Sequence, residues 1–271
     1  MTTTEAPEKP LRRGGRPLRD GHAVYWWFEL VFAGAFYLVY STIRNLNEGG
    51  RVAAFHHAQT IISWERSLGL YHEATLQGWA LHFRPLIVLC NYFYGSAHFI
   101  VTIGAIVFLY RRHSDDYPLW RNTLAIATAL ALIGFVTYPL MPPRLLDTMG
   151  AHYGFVDTLH KYPTFWSFDS GGMEKLSNQF AAMPSVHCCW AGWCACVFAP
   201  RVKQRWARLL AIGYPVFTVV VIVLTANHYF LDAVGGFGVL AIGYAGARTF
   251  TRAGRTPTPT PTNPQTSVET A

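Results

Sequence analysis

The sequence predicts an all-α fold, a bundle of six transmembrane helices with an external interfacial helix and loop region. Three observations carry that expectation. Only 14% of the 271 residues are charged, against about 25% in soluble domains. The hydrophobic residues, 51% of the chain, gather into long blocks instead of alternating with polar ones, and such blocks cross bilayers. Basic residues recur in short clusters between the blocks, where topology determinants sit. One membrane-embedded domain, residues 23–250, accounts for all the blocks. A disordered basic cytoplasmic N-terminus (1–22) and a disordered Thr/Pro-rich cytoplasmic tail (251–271) flank it.

The first span is expected from Val24 to Ile43, opening with Tyr25, Trp26 and Trp27, residues suited to the headgroup region. A mixed segment follows, Arg44 to Arg84. Its stretch Ala53 to Leu70 has apolar residues at helical spacing, the pattern of a helix lying in the interface. The second span runs from Pro85 to Tyr110 and stops at Arg111-Arg112. The third runs from Leu119 to Met141 and stops at Pro142-Pro143. A polar, aromatic-rich segment with Phe165, Trp166 and Phe168 extends to Met183. The fourth span, Pro184 to Ala199, is short. The basic hinge Pro200 to Arg208 separates it from the fifth, Leu209 to Thr225, and the sixth is His228 to Ala247.

Six spans place both termini on one side, and charge decides which. Arg12, Arg13, Arg16 and Arg19 precede span one; Arg111 and Arg112 follow span two. Arg201, Lys203, Arg205 and Arg208 follow span four; Arg248, Arg252 and Arg255 follow span six. All four clusters share a face, which is therefore cytoplasmic. The same count puts Arg144, His187, His228 and Asp232 at junctions on the extracytoplasmic face of a cell membrane. The net charge of +7 is thus a matter of topology, and no nucleic-acid motif accompanies it. Met1 to Asp20 lacks the short apolar core and small-residue cleavage site of a secretory signal. The five cysteines (Cys90, Cys188, Cys189, Cys194, Cys196) form no Cys-x-x-Cys pair and read as buried free thiols.

Ionisable groups at the ends of apolar runs are costly in a membrane and mark function. His228 and Asp232 stand four apart, so on a helix they meet on one face. A carboxylate beside an imidazole fixes its tautomer and stabilises its charged form. His228 is then a nucleophile for phosphorus, with His187 as general acid and base. Arg144 supplies a planar cation for the non-bridging oxygens. Ser185 follows Pro184 at a helix start, where free amides favour an anion, and adds a hydroxyl. The scheme requires no metal and no cofactor. His98, inside span two, either contacts this site or satisfies a core hydrogen bond. His56, His57, His72 and His82 read as surface residues, and packing accounts for Asn227 and Tyr229.

Met183-Pro-Ser-Val-His187 resembles the Pro-Ser-x-His motif of the type 2 phosphatidic acid phosphatase superfamily, and His228-Tyr-Phe-Leu-Asp232 its His-x-x-x-Asp motif. Tyr138-Pro-Leu-Met-Pro-Pro-Arg144 is similar to the first-motif region of the branch containing inositol phosphorylceramide synthases. Glu65-Arg-Ser-Leu-Gly-Leu70 and Asn91-Tyr-Phe-Tyr-Gly-Ser-Ala-His98 resemble further signatures of the bacterial members. The resemblance implies a six-helix membrane enzyme working through a phosphohistidine, with His228 as nucleophile, Asp232 as its orienter and His187 as acid and base.

Two departures matter. Where the phosphatase pattern has a Lys, seven residues before its first-motif Arg, this chain has Thr137. Where it has a Ser-Arg pair before the third motif, this chain has Val221 and Ile222. A phosphomonoester carries nearly two charges and a diester one, so losing two cations tilts the expectation toward moving a phosphoryl headgroup between a lipid and an alcohol such as inositol. Lys161 or Lys175 in the external loop are possible substitutes. The alternatives are a lipid phosphate phosphatase acting on monoesters, a haem-binding electron carrier with His187 and His228 as axial ligands, and a transporter. The Arg, Ser and Asp neighbours speak against haem, and no broken-helix repeat pair supports transport.

Overall fold

The computed structural model describes residues 15–18, 23–31, 34, 35, 38, 42, 50–164 and 179–253. Two short strands, β1 (Gly15–Pro17) and β2 (Ala23–Tyr25), pair antiparallel, and residues 26–31 are helical. Val24 therefore lies in a strand and not at the head of a span. Parts of the expected first span, from residue 32 on, fall outside the described residues, as do the tail from 254 onward and the aromatic cluster Phe165, Trp166 and Phe168.

The rest is helical. In chain order come α1 (Arg51–Ser67), α2 (Glu73–Leu81), α3 (Arg84–Arg112) and α4 (Tyr117–Thr137). After a 3₁₀ turn at Pro143–Met149 follow α5 (Thr158–Lys161), α6 (Val186–Phe198), α7 (Arg205–Leu224) and α8 (Phe230–Ala253). Among the described residues α3, α4, α7 and α8 are long and apolar enough to cross a membrane, which marks a membrane protein. Their outward faces expose Ile100, Ile103, Ile133, Leu209, Leu210, Val216 and Val234, side chains that only lipid would accept in such density.

Local sequence sets the helix ends. Pro85 and Pro118 sit in the first turns of α3 and α4, where a missing N–H costs nothing. Arg111 and Arg112 close α3 against its negative dipole end. The third expected span is too long: α4 stops at Thr137 because Tyr138 precedes Pro139, and a residue before proline avoids the helical region. Residues 138–142 instead run extended, and the Leu140 N–H donates to Phe180 O at 2.7 Å. The fourth expected span, as α6, has 13 residues, or about 20 Å of helix, less than a bilayer's hydrocarbon thickness.

Glycine lets the bundle close around the start of α6. A Cβ on Gly134 of α4 would lie 2.5 Å from Pro184 Cδ, and one on Gly236 of α8 would lie 2.3 Å from Ser185 O. On the far side α6 buries Trp193, whose indole N–H donates to Trp120 O at 2.8 Å. Helix α1 is no mere surface helix. Its residues Ala54, Ala58, Ile61 and Ile62 pack with Leu140, Met141, Leu146 and Tyr229 in a core that roofs one end of the bundle. All five cysteines are free; four are buried, but Cys196 is exposed, contrary to expectation.

Candidate active site

Three junctions converge beneath that roof. The turn after α7 folds back on the helix: Ala226 adopts φ 52, and the Asn227 and His228 N–H groups both donate to Ile222 O. Positive φ is uncommon outside glycine, and here it turns the Ala226 carbonyl toward the 3₁₀ segment, where it accepts the Arg144 N–H at 2.9 Å. The Ser185 N–H likewise donates to Asp232 O at 2.9 Å. Two main-chain hydrogen bonds thus tie the Arg144 and Ser185 junctions to the His228–Asp232 junction.

The His228 Nδ1 lies 3.2 Å from Asp232 Oδ2, and both side chains are almost wholly buried. His228 is not on the helix, as the spacing had suggested, but in the turn ahead of it. Asp232 is the third residue of α8, and its Oδ2 also accepts the Tyr229 N–H at 3.0 Å. That is the reach-back half of a capping box, so one oxygen both caps the helix and holds the imidazole. With Nδ1 so engaged, Nε2 is the nitrogen left for chemistry. The His187 ring, in the first turn of α6, stands 5.6 Å from that of His228.

His187 is itself set between rings: Tyr94 stacks on it at 4.2 Å and His98 meets it edge-on at 4.4 Å. His98 Nδ1 bonds to Tyr94 O at 3.0 Å. His98 therefore does both things that the sequence left as alternatives, contacting the site and satisfying a backbone carbonyl. Tyr94 carried no prior signal beyond its place in the Asn91–His98 stretch. Of the histidines read as surface residues, His56, His72 and His82 are exposed. His57 is half-buried, bonded to Pro139 O at 2.7 Å and stacked on Tyr138. Tyr229 is a packing residue as expected, its hydroxyl donating to Met141 O at 3.1 Å.

Ser185 is buried and its Oγ accepts the Cys188 N–H at 3.4 Å, the geometry of an N-cap. The N–H groups of Val186 and His187 have no protein acceptor among the described residues. Arg144, 8% exposed, is ion-paired with Asp157 at 2.6 Å, while its Nε is buried without a partner. No sequence signal points to Asp157, which also caps α5 through the Leu159 and His160 N–H groups. Asn91 locks α5 in place, donating to Thr158 O at 2.8 Å, and Thr158 Oγ1 donates on to Thr225 O. The positions of the missing Ser-Arg pair carry no charge here: Val221 and Ile222 are buried in apolar clusters. Thr137 bonds to Ile133 O, and Lys161 lies over the Tyr162 ring at 5.5 Å. Lys175 is outside the described residues.

An imidazole with one nitrogen anchored, a second imidazole across a gap and a buried guanidinium suit transfer of a group bearing negative oxygens. No curated protein and no solved structure matches the chain. A family model described as PAP2 superfamily matches residues 59–246.

Proposed function

The chain belongs to the PAP2 superfamily, and from that premise we propose an integral membrane enzyme that transfers a lipid's phosphoryl headgroup to an alcohol through a phosphohistidine on His228. The observation that carries the proposal is the His228 Nδ1 contact with Asp232, with the His187 ring 5.6 Å from the His228 ring. His228 Nε2 attacks phosphorus. The phosphorus–oxygen bond to the leaving alcohol breaks, and His187 gives that oxygen its proton. His187 then takes a proton from the incoming alcohol, whose oxygen displaces Nε2 and restores free His228. Asp232 stabilises the imidazolium character that develops. Arg144 and the first amides of α6 take the non-bridging oxygens.

The electrostatics favour a diester. Arg144 already shares its charge with Asp157, and Val221, Ile222 and Thr137 contribute none. A site with so little net positive charge suits one phosphate charge better than two. This supports an inositol phosphorylceramide synthase-like activity over a monoester phosphatase. We further read the chain as spanning the membrane six times, with cytoplasmic termini and the site on the extracytoplasmic face. That reading counts α6 and the segment before Asn45 as spans beside the four long helices.

Phosphorus NMR and mass spectrometry of products test the proposal. Purified wild type and His228→Ala are given lipid phosphomonoesters, then phosphodiesters with candidate alcohols. The expected product is a new alcohol-phosphate lipid, with turnover lowered at least ~10⁴-fold in the variant. Inorganic phosphate from monoesters alone would establish the phosphatase instead, and turnover surviving in His228→Ala would remove the nucleophile assignment.

A further inference from the structure

Helix α8 begins with N–H groups that its own carbonyls cannot satisfy. Three of them are met by three carboxyl groups. Tyr229 N–H donates to Asp232 Oδ2 at 3.0 Å, Phe230 N–H to Glu73 Oε1 at 3.2 Å and Leu231 N–H to Glu65 Oε1 at 2.8 Å. Glu65 and Glu73 come from α1 and α2, more than 150 residues away in the chain, and both are completely buried. Their remaining oxygens, Glu65 Oε2 and Glu73 Oε2, accept no protein N–H or O–H.

We propose that Glu65 and Glu73 are positioning residues for the reaction at His228: they hold the first turn of α8, and through it fix where Asp232 presents its carboxylate to the imidazole. The inference rests on the phosphotransferase reading for its activity assay. Asp232 cannot be set by its own cap alone, because its Oδ2 must both accept the Tyr229 N–H and meet His228 Nδ1. The next two residues of the turn are anchored from outside, so rotation of the turn would break hydrogen bonds to two separate helices.

Three adjacent negative charges would exceed what one helix end offsets, since the dipole there amounts to about half an elementary charge. A shared proton removes the conflict. Burial, together with the hydrogen bond and charge of Glu73, pushes the Glu65 carboxyl up to about 9. Glu65 thus keeps its proton near neutrality, with Glu65 Oε2 and Glu73 Oε2 available to share it. The other groups facing the pair are Asp232 and Tyr229 at the start of α8 and Tyr71 between α1 and α2, over whose ring Arg66 lies at 4.8 Å. Glu65 is raised on folding, so its stabilising protonation is fully present below its ordinary value of 4.5 and is lost as pH rises through about 9.

The test uses full-length protein in detergent and the variants Glu65→Gln, Glu65→Ala and Glu73→Ala. The amide of Glu65→Gln keeps an oxygen for Leu231 N–H and an N–H for Glu73, so it imitates the protonated acid. Glu65→Ala and Glu73→Ala are expected to lose kcat about 100-fold with KM little changed, the scale of a small misplacement of reacting groups. Wild-type kcat is expected to fall as pH rises through about 9, and Glu65→Gln to restore wild-type kcat at neutral pH and lack that fall. Carbethoxylation of His228 by diethyl pyrocarbonate, followed by peptide mass spectrometry, reads the same pattern without substrate. Glu65→Gln as impaired as Glu65→Ala, or an alkaline limb unchanged in Glu65→Gln, overturns the proposal. If Glu65→Ala does not fold, the comparison of Glu65→Gln with wild type across pH decides alone. A wild type that turns over no lipid phosphate while its His228 labelling follows the pattern refutes the phosphotransferase reading and supports the positioning role.

Discussion

Two helix starts flank the His187 and His228 imidazoles, and they are finished in opposite ways. The first turn of α8 is closed by three carboxyl groups, from Asp232, Glu73 and Glu65. The first turn of α6 is capped by a single neutral hydroxyl, Ser185, which takes one amide and leaves those of Val186 and His187 without a protein acceptor among the described residues. A helix start is attractive to anions in either case, but at α8 the protein has supplied the anions itself. On the mechanism proposed above, the difference suits the two ends to different tasks: α8 would be the rigid mount for the nucleophile, and α6 would offer an incoming phosphate its unsatisfied donors. A symmetrical arrangement with two open ends would bind an anion without saying on which side of His228 it should lie.

Breaking the α8 end is expected to have the largest effect. Asp232→Asn puts an amide against His228 Nδ1 and Tyr229 N–H, favouring the wrong tautomer. A loss of about 10⁴-fold in kcat is expected by analogy with carboxylate-to-amide exchange in catalytic triads, measured by product formation in detergent. A loss under tenfold would mean that the α8 mount does not govern the imidazole. Gly236→Ala attacks the junction between the two ends, because its Cβ would sit 2.3 Å from Ser185 O and 3.2 Å from Cys188 Cβ. Destabilisation of about 1–3 kcal/mol is expected from such overpacking, read as a lowered unfolding midpoint. An unchanged midpoint would show that the starts are not packed as tightly as described. Ser185→Ala sharpens the contrast most gently, costing about 1 kcal/mol as the loss of an N-cap. If α6 is the phosphate end, KM rises in this variant while the pH dependence stays that of wild type; a changed pH dependence would assign Ser185 to the other end.

The contrast was only half legible in the sequence. Long apolar blocks disclosed the four long helices, and the four-residue spacing disclosed the His228–Asp232 pair even though His228 lies outside the helix. The Pro-Ser step announced the start of α6 because proline and serine act locally. Glu73 reads as one charge among others in a mixed-sign segment, and Glu65 stands out only as the head of the Glu65–Leu70 signature, with no role attached. Yet Ala54, Ala58, Ile61 and Glu65 fall on one helical stripe, and all four are buried; the periodicity already placed Glu65 on the inward face. Asp157 had no such signal, since its pairing with Arg144 depends on the path of a loop. The boundary at Thr137 was recoverable from Pro139 and was misplaced because the apolar run continues through Leu140 and Met141, which turn out to belong to the roof.

The shortness of α6 has a consequence for where the reaction happens. Arg201 caps its last turn at Val197 O and pairs with the half-exposed Asp116, which pins that end at a polar boundary. A rod of about 20 Å starting there reaches only two-thirds of the way through an apolar layer about 30 Å deep. On the proposed six-span topology the imidazoles would then stand about 10 Å below the opposite waterline. A lipid in that leaflet would, on the proposed topology, have to let its headgroup sink to meet them beneath the roof that α1 forms. An alcohol that sinks with the lipid would, on that topology, be favoured over bulk water as the acceptor, in keeping with the proposed transfer.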